Sequence, residues 1–331
     1  MSEETRIGAR ASRSPSARHG PASSRDPRAT GSRLAALLDA RLPGPAADRL
    51  PAVAIPMAQN PEIIGCIGEA IAGGLARFVL IGPVDEIRRT ADAAGVSLGD
   101  AELEHETDPM VACARAARLA SERGVDVLMK GLVQTSDFVR AIIARELGLV
   151  GPGGLLSHVA LCDVDGFDRL FLLTDAAITT NPDAAAKRRL VENAVGCARA
   201  LGLERPRVAM VAPVERVSAK VPSTVDAEEV VRACRGDDRL EIDGPFGLDV
   251  AISAEAAAIK GIDSPVAGRA DILVLPNLDA ANVLYKSLTG FARADVAGIV
   301  AGATVPVVLT SRADSERSKL DSLRFALAVA G

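Results

Sequence analysis

The stretch VDVLMKGLVQTSDFVRAII (125–143) passes from an apolar run through a basic residue and a glycine into a helix-like segment. VDVLM is too short for a helix and rich in aliphatic residues, so it reads as a buried strand ending at Lys130-Gly131. Thr135 and Ser136 then read as N-cap residues of a helix that carries Arg140. A buried strand running at once into a helix is the repeating unit of a helix-covered parallel sheet.

The same unit recurs along the chain. FVLIG (78–82), RVAMVAP (207–213), DILVLP (271–276) and VAGIVAG (296–302) read as buried strands. PEIIGCIGEAIAGG (61–74), DPMVACARAARLASERG (108–124) and AAAKRRLVENAVGCARALG (184–202) read as helices between them. The fold class is therefore α/β, with a parallel sheet covered on both faces and no internal repeat. In such sheets ligands bind beyond the carboxyl ends of the strands, so the polar residues that follow each apolar run are the candidates for function.

Composition narrows the choices. The 331 residues suffice for two domains or one large one, and a 48% hydrophobic content supports a sizeable core. Aromatic residues are only 2%, so that core is built from Ala, Val, Leu and Ile. A net charge of −5 and the scarcity of stacking aromatics argue against nucleic-acid binding. No apolar run reaches the roughly 18 residues that span a bilayer. Five cysteines (66, 113, 162, 197, 234), odd in number and without a C-x-x-C pair, read as free thiols in a reducing cytoplasm. The three histidines (19, 105, 158) lack metal-binding spacing, so no metal site is expected. Residues 1–32 carry Arg, Ser, Pro and Gly with almost no large apolar residue. They read as a disordered tail without the apolar core of a secretory signal.

Three polar clusters follow apolar strands. Lys130, Thr135 and Arg140 form the first, where helix amides and two cations suit an anion. DILVLPNLDAANVLYKSLTGFA (271–292) supplies the second: Asn282 and Lys286, four residues apart, share a helix face. In VPVVLTSRADSERSKL (305–320), Ser311 and Arg312 come directly after a strand and before a helix. Arginine grips an oxyanion through paired N–H donors, and a serine hydroxyl adds another. Other chemistries find no motif: there is no G-x-x-x-x-G-K-[ST], no G-x-G-x-x-G opening a helix after the first strand, and no G-x-S-x-G.

Seven stretches in order carry a family resemblance: LMKGLVQTSDFVRAII, LLSHVAL, LFLLTDAAITTNPD, EIDGPFGLDVAIS, SPVAGRADILVLPN, NVLYKSLTGFA and AGIVAGATVPVVLTSRADS. They resemble the phosphate acetyl/butyryltransferases over residues 50–331, and LLSHVA with the final VPVVLTSRADSERSKLDSL is closer to the butyryl branch. The resemblance implies an acyltransferase catalysing acyl-CoA + phosphate ⇌ acyl phosphate + CoA. It also implies a two-domain α/β architecture similar to isocitrate and isopropylmalate dehydrogenases. Residues 33–150 with about 305–331 would form one domain, 151–304 the other, and the active site would lie in the cleft between them. By the same resemblance the enzyme would be a cytoplasmic homodimer, with coenzyme A and phosphate as substrates and no cofactor.

Within the resemblance, Ser311 stabilises the charge developing on the thioester carbonyl, and Arg312 binds phosphate or CoA. Arg140, in the T-x-D-x-x-R motif, is a second anion ligand, with Thr135, Lys130, Asn282 and Lys286 as further substrate contacts. The acetyltransferases place an aspartate one or two turns after the Ser-Arg pair as a proposed base. Here ungapped counting puts Ser318 there, and Asp314 and Glu316 fall at other positions, so the base is unassigned. Two alternatives remain from the sequence: an NAD- and metal-dependent hydroxy-acid dehydrogenase of the same architecture, and a non-catalytic acyl-CoA or acyl-phosphate sensor.

Overall fold

A computed structural model describes residues 32–42, 49–310 and 315–331. The tail assigned to 1–32 lies, but for Ser32, outside the described residues, as do Ser311, Arg312 and Asp314.

The first elements are α1 (Arg33–Asp39), β1 (Ala52–Pro56), α2 (Pro61–Ala72), β2 (Arg77–Gly82), α3 (Val84–Ala94), β3 (Glu102–His105), α4 (Pro109–Ser121), β4 (Val127–Met129) and α5 (Thr135–Ile142). After a 3₁₀ turn at Arg145–Leu147 come β5 (Ser157–Asp163), β6 (Phe171–Thr174), α6 (Ala184–Ala200), β7 (Arg207–Val211), α7 (Pro222–Ala233) and β8 (Glu241–Phe246). The remainder is α8 (Leu248–Ile252), α9 (Ala254–Ile259), β9 (Ile272–Val274), α10 (Leu278–Gly290), β10 (Asp295–Ala301), β11 (Val307–Val308) and α11 (Glu316–Ala330).

Helix starts follow their sequence signals. Asn60 accepts N–H bonds from Glu62 and Ile63 before α2, Asp108 those of Met110 and Val111 before α4, and each helix opens with proline. Asp183, Asn277 and Ser315 cap α6, α10 and α11 in the same way. One expected cap is different: α5 starts after Gln134, which makes no side-chain cap bond, and Thr135 and Ser136 lie inside the first turn.

The eleven strands form one sheet, in the order β3-β2-β1-β4-β11-β10-β5-β6-β9-β7-β8. Most neighbours are parallel, as expected, but the middle is not: β11–β10, β10–β5 and β5–β6 are antiparallel. Sequence runs that are apolar at every position report burial on both faces, which an antiparallel strand covered by helices satisfies equally well. As a result β1–β4 and β11 run one way and β6, β9, β7 and β8 the other. The two parallel groups end on opposite edges of the sheet.

The two faces are packed differently. One is covered by a single core reaching from α2 and β1 through Ile299 of β10 and Val159 of β5 to α6, α7 and α11. On the other, α4 and α5 cover β1, β4 and β11 in a core that includes Leu128, Val307 and Val300. A separate core, with Ala160, Leu173 and Val296, packs partly buried residues of α8 and α10 over β5, β6, β9 and β7. Val300 belongs to one core and Val296 to the other, so the break falls on β10 at Gly298. Each fully buried Leu, Ile or Phe contributes ~1.5–3 kcal/mol to holding these layers together.

Candidate active site

Lys130 ends β4. Its backbone N–H bonds to Val308 of β11 (2.9 Å), and its ammonium donates to the carbonyls of Gly131 (3.2 Å) and Val133 (3.3 Å). Only glycine fits at 131: a Cβ there would stand 2.2 Å from the carbonyl oxygen of Pro56 and 2.5 Å from that of Met57. That close approach lets the N–H of Leu132 bond to Met57 (2.8 Å), fixing the loop from β4 to α5 against the end of β1. Met57 itself has φ 54, in the left-handed region that a non-glycine residue rarely adopts.

Thr135 and Arg140 lie exposed on α5, and Arg140 pairs with Asp137 one turn earlier (3.1 Å). Such an exposed pair is weak, ~0.3–0.5 kcal/mol, so an anionic ligand competes with it readily. On α10 the two predicted residues do different things. Asn282 donates to the carbonyl of Ala176 (3.1 Å), in the loop after β6. Lys286, one turn on, lies with its ammonium 5.3 Å from the centre of the Tyr285 ring.

Lys286 and Tyr285 line a 370 Å³ cavity with Asp295, Ser315, Arg317 and Ser318. Ser315 and Ser318 open α11, so the structure brings Lys286 to the helix that directly follows Ser311 and Arg312 in the chain. Two larger cavities, of 780 and 790 Å³, contain none of the five described candidates, Lys130, Thr135, Arg140, Asn282 and Lys286. One lies at the amino end of β4, and the other at the carboxyl ends of β7 and β9, on the sheet edge opposite to Lys130.

Of the described candidates for a base, Ser318 and Asp321 are engaged, whereas Glu316 is exposed at the start of α11. The Glu316 carboxylate lies toward α2, 3.8 Å from where a Cβ on Gly65 would stand. Ser318 donates its hydroxyl proton to the carbonyl of Val296 (2.9 Å). Asp321, also on the cavity wall, is 2% exposed; burial pushes its carboxyl above the ordinary value, against the pull of Arg324 at 3.0 Å.

Sequence reasoning passed over His158. It lies on β5 with every neighbour in the strand buried, and its ring meets that of Tyr285 edge-on, centroids 5.8 Å apart. A polar residue opening the otherwise apolar run HVALC was the available signal.

Cysteine nucleophiles are disfavoured: burial pushes the thiols of Cys66, Cys162 and Cys197 up to about 12 and that of Cys113 to about 11. Among the described residues no group of His, Cys, Asp or Glu is placed to hold a metal ion, and no helix is long and apolar enough to cross a membrane.

Comparison with known proteins places the chain in a family. Residues 103–327 match the family described as phosphate acetyl/butaryl transferase. A phosphate butyryltransferase of Clostridium beijerinckii is 45% identical over 280 residues, 84% of this chain and 92% of the relative. A phosphate acetyltransferase of Rhizobium meliloti is 42% identical, over 85% of this chain and 90% of the relative. Among solved structures, a branched-chain phosphotransacylase of Enterococcus faecalis superposes with a TM-score of 0.76 at 34% identity, covering 85% of this chain and 99% of that one. A 4-hydroxythreonine-4-phosphate dehydrogenase of Klebsiella pneumoniae shares the fold alone, with a TM-score of 0.55 at 16% identity over 86% of this chain and all of that one. Identity of this extent, across both halves of the sheet, makes the chain a member of the phosphate acetyl/butyryl transferase family.

Proposed function

We infer that this enzyme moves a short acyl group reversibly between coenzyme A and inorganic phosphate, acyl-CoA + phosphate ⇌ acyl phosphate + CoA. The observation that carries the reading is the 45% identity to a phosphate butyryltransferase across 92% of its length. The butyryl branch is favoured by that relative and by a second phosphate butyryltransferase, from Clostridium acetobutylicum, at 41% identity. Neither a dehydrogenase nor a sensor finds support, since the dehydrogenase likeness is one of fold only.

In this reading phosphate attacks the thioester carbonyl. Ser311 donates a hydrogen bond to the oxygen as it becomes negative, and Arg312 holds phosphate or the CoA phosphates. Arg140, free to exchange Asp137 for a ligand, is the second anion holder, with Lys130, Thr135 and Lys286 contributing to substrate binding. Asn282 acts by fixing the loop after β6 through Ala176. Holding the two reactants together contributes as much as ~7–11 kcal/mol toward the barrier. The reaction draws on no cofactor beyond its substrates. Residues 33–150 with 305–331 and residues 151–304 act as two domains like those of isocitrate and isopropylmalate dehydrogenases, in a cytoplasmic homodimer.

The test is thiol release from acetyl-, propionyl- and butyryl-CoA by the purified chain, with and without phosphate. Phosphate-dependent release is expected; NAD reduction, or binding without turnover, would refute the reading. Ser311→Ala is expected to lower kcat about a hundredfold, as for other lost oxyanion donors. Arg312→Ala is expected to lower kcat/KM strongly, with melting temperatures unchanged in both. Full activity in either variant would remove that residue from the mechanism.

A further inference from the structure

The acyl-transfer reaction leaves one proton to be carried. Hydrogen phosphate enters as HPO₄²⁻ and leaves as the dianionic acyl phosphate, while CoA leaves as a thiol. A C–O bond forms, a C–S bond breaks, and the proton on phosphate ends on sulfur. Among the described residues near the start of α11, the Ser318 hydroxyl and the Asp321 carboxyl are engaged with Val296 and Arg324, and the exposed Glu316 carboxylate lies toward α2. We propose that His158 is the residue that carries this proton, taking it from phosphate and giving it to the departing thiolate, and in the reverse direction from the CoA thiol to phosphate. The proposal rests on the acyl-transfer reading.

Position is the first argument. His158 pairs with Val300 of β10, which pairs with Val307 of β11, which pairs with Leu128 of β4. These residues therefore share one row across the sheet, on the face whose core is split. Residues before it and after it on the same face belong to different cores: Leu156 to the one beneath α4 and α5, Ala160 and Cys162 to the one beneath α10, so His158 faces the break between them. The ring does not stay in its own row. A Cβ on Gly298 would lie 2.7 Å from Nε2, so the imidazole extends over Gly298, two residues along β10 toward the edge where β11 ends. Strands lie about 4.8 Å apart. Continuing the antiparallel pairing of Val300 with Val307 past the end of β11 sets Gly298 level with Leu309, the residue before Thr310.

The surroundings are the second argument. Gly298 is a glycine in the middle of an eleven-stranded sheet, where any side chain would add packing, and it stays partly exposed. The missing side chain is the space the imidazole uses. Tyr285, the only tyrosine in the chain, meets the imidazole edge-on and also lines the cavity shared with Lys286, Ser315 and Ser318. His158 thus lies beside β10, whose neighbour β11 leads toward Ser311, and it meets the cavity at α11 through Tyr285 without lining that cavity itself. It is 8% exposed, and imidazole exchanges protons without a net change of charge over the cycle.

The test uses full-length protein, butyryl-CoA and phosphate. Wild type, His158→Gln and His158→Ala are compared for kcat, KM, melting temperature and response to added imidazole. The expected result is a drop in kcat of about a hundredfold or more in both variants, the usual scale for a lost proton-transfer group, with KM changed less than about threefold. Free imidazole is expected to restore part of the turnover of His158→Ala, and to leave wild type unchanged. Three outcomes overturn the proposal. One is turnover in both variants within about threefold of wild type; another is a loss that follows a lowered melting temperature and ignores imidazole, which marks a packing histidine. The third, wild type that releases no CoA, removes the acyl-transfer reading itself and is told apart because it precedes any variant.

Discussion

Single residues show how the fold places charge in an apolar interior. Lys187 of α6 is 3% exposed, and its ammonium is held 2.6 Å from Asp226 of α7. Removing only the carboxylate leaves a buried cation without its counter-charge. Asp226→Asn is therefore expected to cost about 3 kcal/mol in chemical denaturation, while Lys187→Met with Asp226→Leu recovers most of that loss. Both residues lie on the 790 Å³ cavity at the edge opposite to Lys130, so acyl transfer at low temperature is expected to survive in either variant. A loss below about 1 kcal/mol for Asp226→Asn would show that water already solvates the ammonium. Lys187 sits inside AAAKRRLVENAVGCARALG, where sequence alone gives every lysine a solvated position; only the packing of α6 on α7 buries this one.

Elements carry the next level of the argument, since a loop between two of them positions the first polar cluster. The turn from β4 to α5 depends on Gly131, where any Cβ meets backbone oxygens of Pro56 and Met57 that have no side-chain freedom to give. Gly131→Ala is expected to destabilise by about 3 kcal/mol, at the upper end of overpacking costs, and to raise KM through displacement of Lys130 and α5. An unchanged melting temperature and KM would show that β1 yields at its end. The strands and helices themselves were legible: β4, β7 and β9 fall within the apolar runs, β2 and β10 begin one residue before theirs, and α2, α4 and α6 fall within their capped, alanine-rich stretches. Strand direction was not, because β5, β6 and β10 look alike in sequence whichever way they run. The edge strand β3, reading Glu-Leu-Glu-His, carries too little apolar character to register, and its charges suit an edge that must not pair further. His158 was illegible as a candidate for the same kind of reason, since its place over Gly298 depends on the pairing of strands distant in sequence.

For the molecule as a whole, the five cysteines offer a check on the packing. All five are free, four are buried, and burial raises the thiol of the partly buried Cys234 as well. A thiolate-seeking reagent at pH 8 is therefore expected to label at most one thiol in the native protein and five in concentrated guanidinium. Two or more fast-reacting thiols in the native state would show that the layers open locally. The general architecture and the family were readable from ordered motifs spread along the chain. The split of one face into two cores was not, because it exists only when Val296 and Val300, two positions of one strand, are assigned to different neighbours.

The insertion of β11 between β4 and β10 also sets an order of events during synthesis. β4 leaves the ribosome early, yet its partner at residues 307–308 is made only after β5 to β10 have been translated. At ~5–20 residues per second, the edge of β4 waits on the order of 10–40 s for completion. Throughout that interval a nascent chain exposes an unpaired apolar strand, the kind of surface that chaperones hold. The first half of the sheet is thus translated first and finished last.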